Sequence, residues 1–508
     1  MSIPPITPSL SVAAPVLTVN KTLEPVAAPL AVQESPSTQV NLGATKELPP
    51  VYGKPTTTEV TYLRYQPPKT PAATLMSQQL LDEWAMFRND REHSFRASRF
   101  LSQVGALSAE TTSFRNEARS FKVPADIATE KYSPDFSSLA GKRRESFLLT
   151  IRTKEGDDIT IRMTRREGPD GASLEFAFDV TGELSEAEQQ ALDKLASKLG
   201  EVADEFFRTG TAELRGLAAF DDAAIQSFTF ELSRPDGDDY ATLSYEYSFD
   251  ELSQTRSLRG KDTAGYEFDI SAHVNDVLQP DRARAQQTIE QYLDLIRQAG
   301  DARGTDSASV RFMLDGLRSL LLDERHIATA SSGDKTLPDE LHTGLPDFTA
   351  SFRSAVTYNP ENRTQASAMS LTMGQVTRTE TNGAQQLVQQ ESYYELHNSY
   401  FRSLPWLEQA DFAGGNYVYV NEHHSGTTRR TLEMSAGEAV DVLVERETEH
   451  RILEQSFREF SEIDRREENQ KDRQLNSLME QISAAASDDT RRQNLIALLR
   501  DSRFKLFG

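Results

Sequence analysis

The chain has no cysteine among its 508 residues. That excludes disulfides, thiolate metal ligands, cysteine nucleophiles and thiol redox chemistry. It suits a cytoplasmic protein, and equally one exported without crosslinking on the way. No stretch approaches the ~20 apolar residues of a membrane span, so no membrane partner is expected. Positive charge is also short: 55 Lys and Arg stand against 78 Asp and Glu, a net charge of -23. Phosphate recognition needs clustered Lys and Arg, so nucleic acid is not expected as a partner. The N-terminus, MSIPPITPSLSVAAPVLTV, has no basic segment, and prolines interrupt its apolar run. It is therefore not read as a cleavable signal. Walker A, dinucleotide-fingerprint, HExxH, EF-hand and GxSxG patterns are all missing, and no cofactor is implied.

What is present divides by composition. Residues 1–72 hold 13 of the 22 prolines, mixed with Ala, Ser, Thr and Val, and are expected to be a disordered tail. Residues 73–145 read as a helix, with Leu80, Leu81, Trp84 and Phe87 at helical spacing, followed by a loop-rich approach. A module follows over 146–326, a polar linker over 327–346, a β-rich domain over 347–436 and a charged helical tail over 437–508.

The clearest single element is LSEAEQQALDKLASKLGEVADEFFRTG, Leu184 to Gly210. Ser185 and Glu188 have capping-box spacing, and Ala191, Leu192, Leu195, Leu199, Val202 and Phe206 share one face. Gly210 stands where a helix stops. Before it, Phe147, Leu149 and Ile151, then Ile159, Ile161 and Met163, alternate across the turn KEGDD as in a half-buried β-hairpin. SFLLTIRTKEGDD (residues 146–158) aligns without a gap on SFTFELSRPDGDD (residues 227–239). FAFDVT (176–181) resembles YEFDIS (266–271), and each is followed by a helix. The fold class is therefore α+β: antiparallel hairpins and sheets packed with helices, with a hairpin–strand–helix unit duplicated. A further helix is expected over 307–325. Farther on, LVQQESYYELHNSYF reads as strand, and NYVYVNEHHSGTTRRTLEM as a hairpin turning at Ser425-Gly426. Beyond Gly437 the apolar spacing, and the alternating charges of IDRREENQKDRQ, suggest helices with a coiled-coil flank.

Three groups carry chemistry worth testing. Glu422-His423-His424 at the expected hairpin tip, with His397 and Asp411 nearby in sequence, offers imidazoles and carboxylates suited to zinc. Neighbouring residues of a strand point to opposite faces, so only one of His423 and His424 can join such a site unless the turn twists. The turns Glu155-Gly156-Asp157-Asp158 and Asp236-Gly237-Asp238-Asp239 lack calcium-loop spacing and read as turn chemistry. The basic run Gly141-Lys142-Arg143-Arg144, with Arg162, Arg165 and Arg166, is expected to pair with the chain's own carboxylates.

TIRTKEGDDITIRM and FAFDVTGELSEAEQQALDKLASKLGEVADEFFRTG, leading into SFTFELS, resemble a family of uncharacterised proteobacterial proteins found in pseudomonads and marine relatives. The resemblance covers residues 145–233. It implies no activity, cofactor or catalytic residue. The expected function is that of a non-enzymatic structural or interaction protein. Its protein partner would be held by the N-terminal tail or the C-terminal helices, in the cytoplasm or after a flagellar-type export that leaves no cleaved signal. The alternative is a metal-dependent or hydrolytic enzyme centred on residues 397–424.

Overall fold

The computed structural model describes residues 57–89, 93–124, 127–128, 143–168, 171–214, 217, 224–273, 282–322, 338, 341–481 and 488–503. The first part runs β1 (Thr57–Leu63), α1 (Pro71–Asn89), α2 (Ala97–Leu101), α3 (Val104–Ser108), β2 (Ser113–Pro124), β3 (Arg143–Thr153), β4 (Asp158–Gly168), β5 (Gly171–Thr181) and α4 (Glu186–Thr209). Next come β6 (Ile225–Asp236), β7 (Asp239–Asp250), β8 (Thr255–Lys261), β9 (Glu267–His273), α5 (Arg282–Arg303) and α6 (Ser307–Leu321). The last part holds β10 (Phe348–Arg353), β11 (Thr357–Tyr358), β12 (Ala366–Asn382), β13 (Gln385–Arg402), β14 (Tyr417–Ser435), β15 (Glu438–Arg458), β16 (Ser461–Ser477) and α7 (Asp488–Arg503).

Among the described residues, sixteen strands belong to one sheet in the order β1-β2-β5-β4-β3-β6-β7-β8-β9-β10-β12-β13-β14-β15-β16, with β11 paired to the side of β12. Every pairing is antiparallel. One row of directly opposed residues crosses the molecule from β2 to β16. It reads Phe114, Phe178, Ile161, Leu149, Phe230, Tyr245, Gly260, Phe268, Phe352, Leu371, Leu396, His424, His450 and Gln470. Alternation puts this whole row on one face. The helices cover that face, and ten of these side chains as far as Leu396 sit in the main core with Gly260 among them. Beyond Leu396 the cover ends, and the row turns to imidazole and amide.

α1, α4, α5 and α6 stand where the sequence places helices, whereas α2 and α3 fall at the edge of and within the stretch expected to be loop-rich. Ser185 and Glu188 cap α4 reciprocally, Gly210 ends it in the left-handed conformation, and its apolar face is buried. Arg165, from the expected basic run, pairs with Glu145 at 2.9 Å and stacks on Phe87. Gly156 and Gly237 both take positive φ in their acidic turns, so turn geometry accounts for both glycines. The two aligned hairpins also meet: Leu149 on β3 lies opposite its aligned counterpart Phe230 on β6. The second block carries one more strand, β8, before its helix.

Several expectations are corrected. Residues 57–63, placed in the disordered tail, form edge strand β1, residues 64–70 link it to α1, and Pro71 and Ala72 open that helix; residues 1–56 lie outside the described residues, as do Gly141 and Lys142. The loop-rich approach contains β2, whose Phe114 and Ala118 join the core. β10 pairs directly with β9 on one side and β12 on the other, so the sheet runs on through the expected boundary. Ser425 and Gly426 lie mid-strand in β14. Gly426 is there because Tyr394, directly opposite, crosses over it: a Cβ would come within 2.3 Å of that ring. The real turn is Ala436-Gly437, both at positive φ, as a tight hairpin requires. The charged helical tail is wrong over residues 438–477, which form β15 and β16. Among the described residues of that tail, a single 3-10 turn (Met479–Gln481) and α7 are helical, and Leu495 of α7 shares a buried cluster with Leu432 and Val442. The segment IDRREENQKDRQ, expected to flank a coiled coil, lies in β16, and its charges make ion pairs two residues apart and across strands, such as Arg466–Glu468 at 3.1 Å and Lys471–Glu447 at 2.9 Å.

Close approach of α6 to the sheet depends on two glycines. A Cβ at Gly260 would lie 2.5 Å from the Phe268 ring, and one at Gly316 of α6 would lie 2.9 Å from the same ring. Gly260→Ala should therefore cost about 1–3 kcal/mol through overpacking. A urea denaturation curve checks this, and an unchanged midpoint would mean the packing is looser than described.

Candidate functional site

The candidate residues lie on β13 and β14, where the helical cover runs out. His397 is directly opposite His423, and Leu396 is opposite His424. The adjacent pair His423-His424 is therefore split between the two faces, as strand geometry requires. On the open face, the His397 and His423 rings stack with centroids 4.5 Å apart. Glu395, two residues before His397 and so on the same face, reaches both. Its Oε1 is 3.1 Å from His397 Nε2 and 3.2 Å from His423 Nε2. Hydrogen bonds from these imidazoles, His423 first, hold the Glu395 carboxyl below its usual range. Glu395 and His397 are more than half exposed, at 55% and 60%, while His423 is 24% exposed. The three ligand atoms lie within 4.8 Å of one another.

On the other face His424 stacks on His450 of β15, with centroids 3.9 Å apart. Burial, then the neighbouring imidazoles of His450 and His423, lower the His424 pKa to about 4. Glu422 lies 3.8 Å from His424, and it also accepts a 2.7 Å hydrogen bond from the Tyr400 hydroxyl. Asp411 joins neither group. It sits in the loop between β13 and β14, where its carboxylate accepts from the Gly414 N–H at 2.8 Å and the Asn416 amide at 3.0 Å. That loop is packed by Phe401, Phe412 and Tyr417, with Phe412 5.0 Å from Phe401.

Of the five residues singled out from sequence, the structure thus unites His397 with His423 and sends Glu422, His424 and Asp411 elsewhere. Two partners were missed, Glu395 and His450. Glu395 was findable, because period-two alternation in YYELHNSY places it beside His397. His450 was hidden by the reading of its segment as helix.

The rest of the open face is polar and largely self-paired. Arg429 bridges Glu391 at 2.8 Å and Glu445 at 3.4 Å, and Glu445 meets Arg473 at 2.5 Å, so one ion-pair ladder crosses β13 to β16. A shallow groove of about 370 Å³ over β6–β10 is lined by Arg259 and Asp269, 3.1 Å apart, and by Lys261 and Glu267, 2.7 Å apart. A further imidazole–carboxylate contact, His93 to buried Glu83 at 2.6 Å, ties the chain before α2 back to α1. No helix among the described residues is long and apolar enough to cross a membrane. Set against protein-family models, curated proteins and solved structures, the chain matches none.

The His424 pair has a consequence for stability. Its folded-state pKa of about 4 lies below the ordinary 6.5. Between these values the unfolded chain takes up the proton and the folded chain resists it, so stability falls as pH drops through this window and is unaffected above it. His424→Gln should remove on the order of 2 kcal/mol of that loss. Denaturation at pH 7.5 and pH 4.5 in chelator-containing buffer measures the slope. An unchanged slope would assign it to other groups.

Proposed function

We propose that this is a non-enzymatic interaction protein that assembles through the free edge of its sheet, with β16 pairing against β16 of a second copy. The observation that carries this reading is the self-complementarity of β16. One edge of β16 pairs with β15, and the strand stands exposed along nearly its whole length. An antiparallel copy centred on Asn469 brings Arg466 opposite Asp472, Glu467 opposite Lys471, and Ile463 opposite Leu475. Ile463 and Leu475 are both large apolar side chains left in water, 51% and 65% exposed. The one like-charged pair in this register is Arg465 with Arg473. Each is already neutralised within its own chain, by Glu467 at 2.7 Å and by Glu445 at 2.5 Å.

Charged edge strands ordinarily block pairing with other sheets. Here the charges block the neighbouring registers. Centring on Glu468 opposes that residue to itself and Asp464 to Asp472, and centring on Gln470 opposes Glu468 to Asp472. Charge thus selects one partner and one register. The same antiparallel geometry already exists inside the chain, where β3 and β6 pair with Leu149 opposite Phe230. We read those two strands as copies of one hairpin, on the strength of their aligned sequences and that symmetric register.

Sedimentation of the purified chain should show a concentration-dependent dimer. Ile463→Lys with Leu475→Lys should leave a monomer of unchanged fold by circular dichroism. Arg466→Asp should weaken the dimer about tenfold, taking the cross-strand pairs at up to ~1 kcal/mol each, and adding Asp472→Arg should restore it. A monomer at every concentration, or a dimer indifferent to these changes, would refute edge pairing.

A further inference from the structure

We propose that Glu395, His397 and His423 form a surface site for one divalent transition-metal ion of the zinc class. This is independent of edge pairing, since all three residues belong to β13 and β14 of one chain.

The argument starts from spacing. Zinc bonds of about 2.0–2.1 Å in a tetrahedral shell place neighbouring ligand atoms about 3.3–3.4 Å apart. Glu395 Oε1 lies 3.1 Å from His397 Nε2 and 3.2 Å from His423 Nε2, so two of the three edges are already near that length. The third needs only the imidazoles to turn, because their rings are held face to face at 4.5 Å by strands whose backbones are paired at this position. An ion would replace the two N–H contacts that now join the imidazoles to the carboxylate. Each neutral imidazole would carry its proton on Nδ1 and give its Nε2 lone pair to the metal.

The donor set selects the ion. Two imidazoles and one carboxylate suit zinc, nickel or copper, whereas calcium and magnesium take oxygen shells. Arg451 lies directly opposite His423 on β15, and its guanidinium is paired with Glu449, so it does not oppose the incoming charge at full strength. Glu395 and His397 are more than half exposed, so the remaining coordination position faces solvent, where water or a side chain of a partner can fill it. The arrangement differs from the zinc set expected from sequence: His424 and Asp411 are excluded, and Glu395 takes the carboxylate role.

Calorimetric titration of the metal-free full-length chain with zinc at pH 7.5 tests the site. One equivalent per chain is expected. His397→Gln or His423→Gln should each weaken binding at least about tenfold, by analogy with the loss that follows removal even of a group supporting a ligand. The double variant should not bind. His424→Gln with His450→Gln, on the opposite face, should bind as the unaltered chain does, and circular dichroism confirms that each variant is folded. With copper(II) as the probe, hyperfine splitting from two nitrogens is expected and should disappear in the double variant. Absence of zinc binding by the unaltered chain, binding that survives in the double variant, or binding lost in the opposite-face variant would each overturn the assignment. The Ile463→Lys, Leu475→Lys chain keeps the two proposals apart: it should still bind one equivalent, and half an equivalent per chain in the unaltered protein would refute a single-chain site.

Discussion

The register of one antiparallel sheet is the constraint on which the rest of this structure depends. Because side chains alternate, a single choice of pairing between each two strands commits every residue to a face. The row from Phe114 to Gln470 makes this concrete, since it is apolar wherever a helix lies above it and polar where none does. Under the helices, α4 alone buries Leu192, Leu195, Leu199 and Phe206, and each large side chain removed from water contributes roughly 1.5–3 kcal/mol. Slipping one strand there by a residue would exchange its core face for its solvent face. Register in that half is fixed by burial.

Beyond β13 the same sheet is held differently. β14, β15 and β16 are 19, 21 and 17 residues long, yet the second apolar cluster fully buries Leu432, Val442 and Val444 of them, with Met434 and Ala439 packed against it partly buried. The remaining cohesion comes from ladder hydrogen bonds and from cross-strand pairs worth roughly 0.2–1 kcal/mol each. Exposed ion pairs such as Lys471–Glu447 add little individually and weaken with salt. Local stability should therefore decline from β13 toward β16, with that edge the first region to open. The hairpin turn at Ala436-Gly437 and the aromatic loop around Phe412 pin opposite ends of this wing, and so hold a register that burial does not.

This difference in cohesion explains what was legible in the sequence. The helix at residues 186–209 was readable to its caps, and the hairpin of β3 and β4 to its buried positions, because burial on one face leaves a period in the sequence. β15 and β16 leave none. Between Glu445 and Arg451 both faces are polar, so no alternation survives, and residues such as Glu, Arg and Gln favour helix when nothing else decides. Pairing with β14, which is rich in Thr, Val and Tyr, overrides that preference. Gly426 misled for a related reason: a glycine reads as a turn unless the ring that needs its space is known. His397 and His423 were visible as chemistry but not as a pair, because the 25 residues between them include a loop whose length sets which residues meet.

The two histidine pairs illustrate how little sequence distance matters on such a surface. His423 and His424 are bonded neighbours, yet one shares a carboxylate in open water while the other is stacked, partly buried, on His450. The first environment favours a bound cation, since Glu395 supplies negative charge and a coordination position is open. The second disfavours any positive charge, because burial and a second imidazole both penalise protonation. A sheet thin enough to leave both faces accessible can therefore place opposite electrostatic demands on consecutive residues without either disturbing the backbone. Under the helical half that arrangement would require burying a charge, which costs several kcal/mol without a partner. The uncovered wing is where this chain can carry polar chemistry, and its candidate metal ligands and its self-complementary edge both lie there.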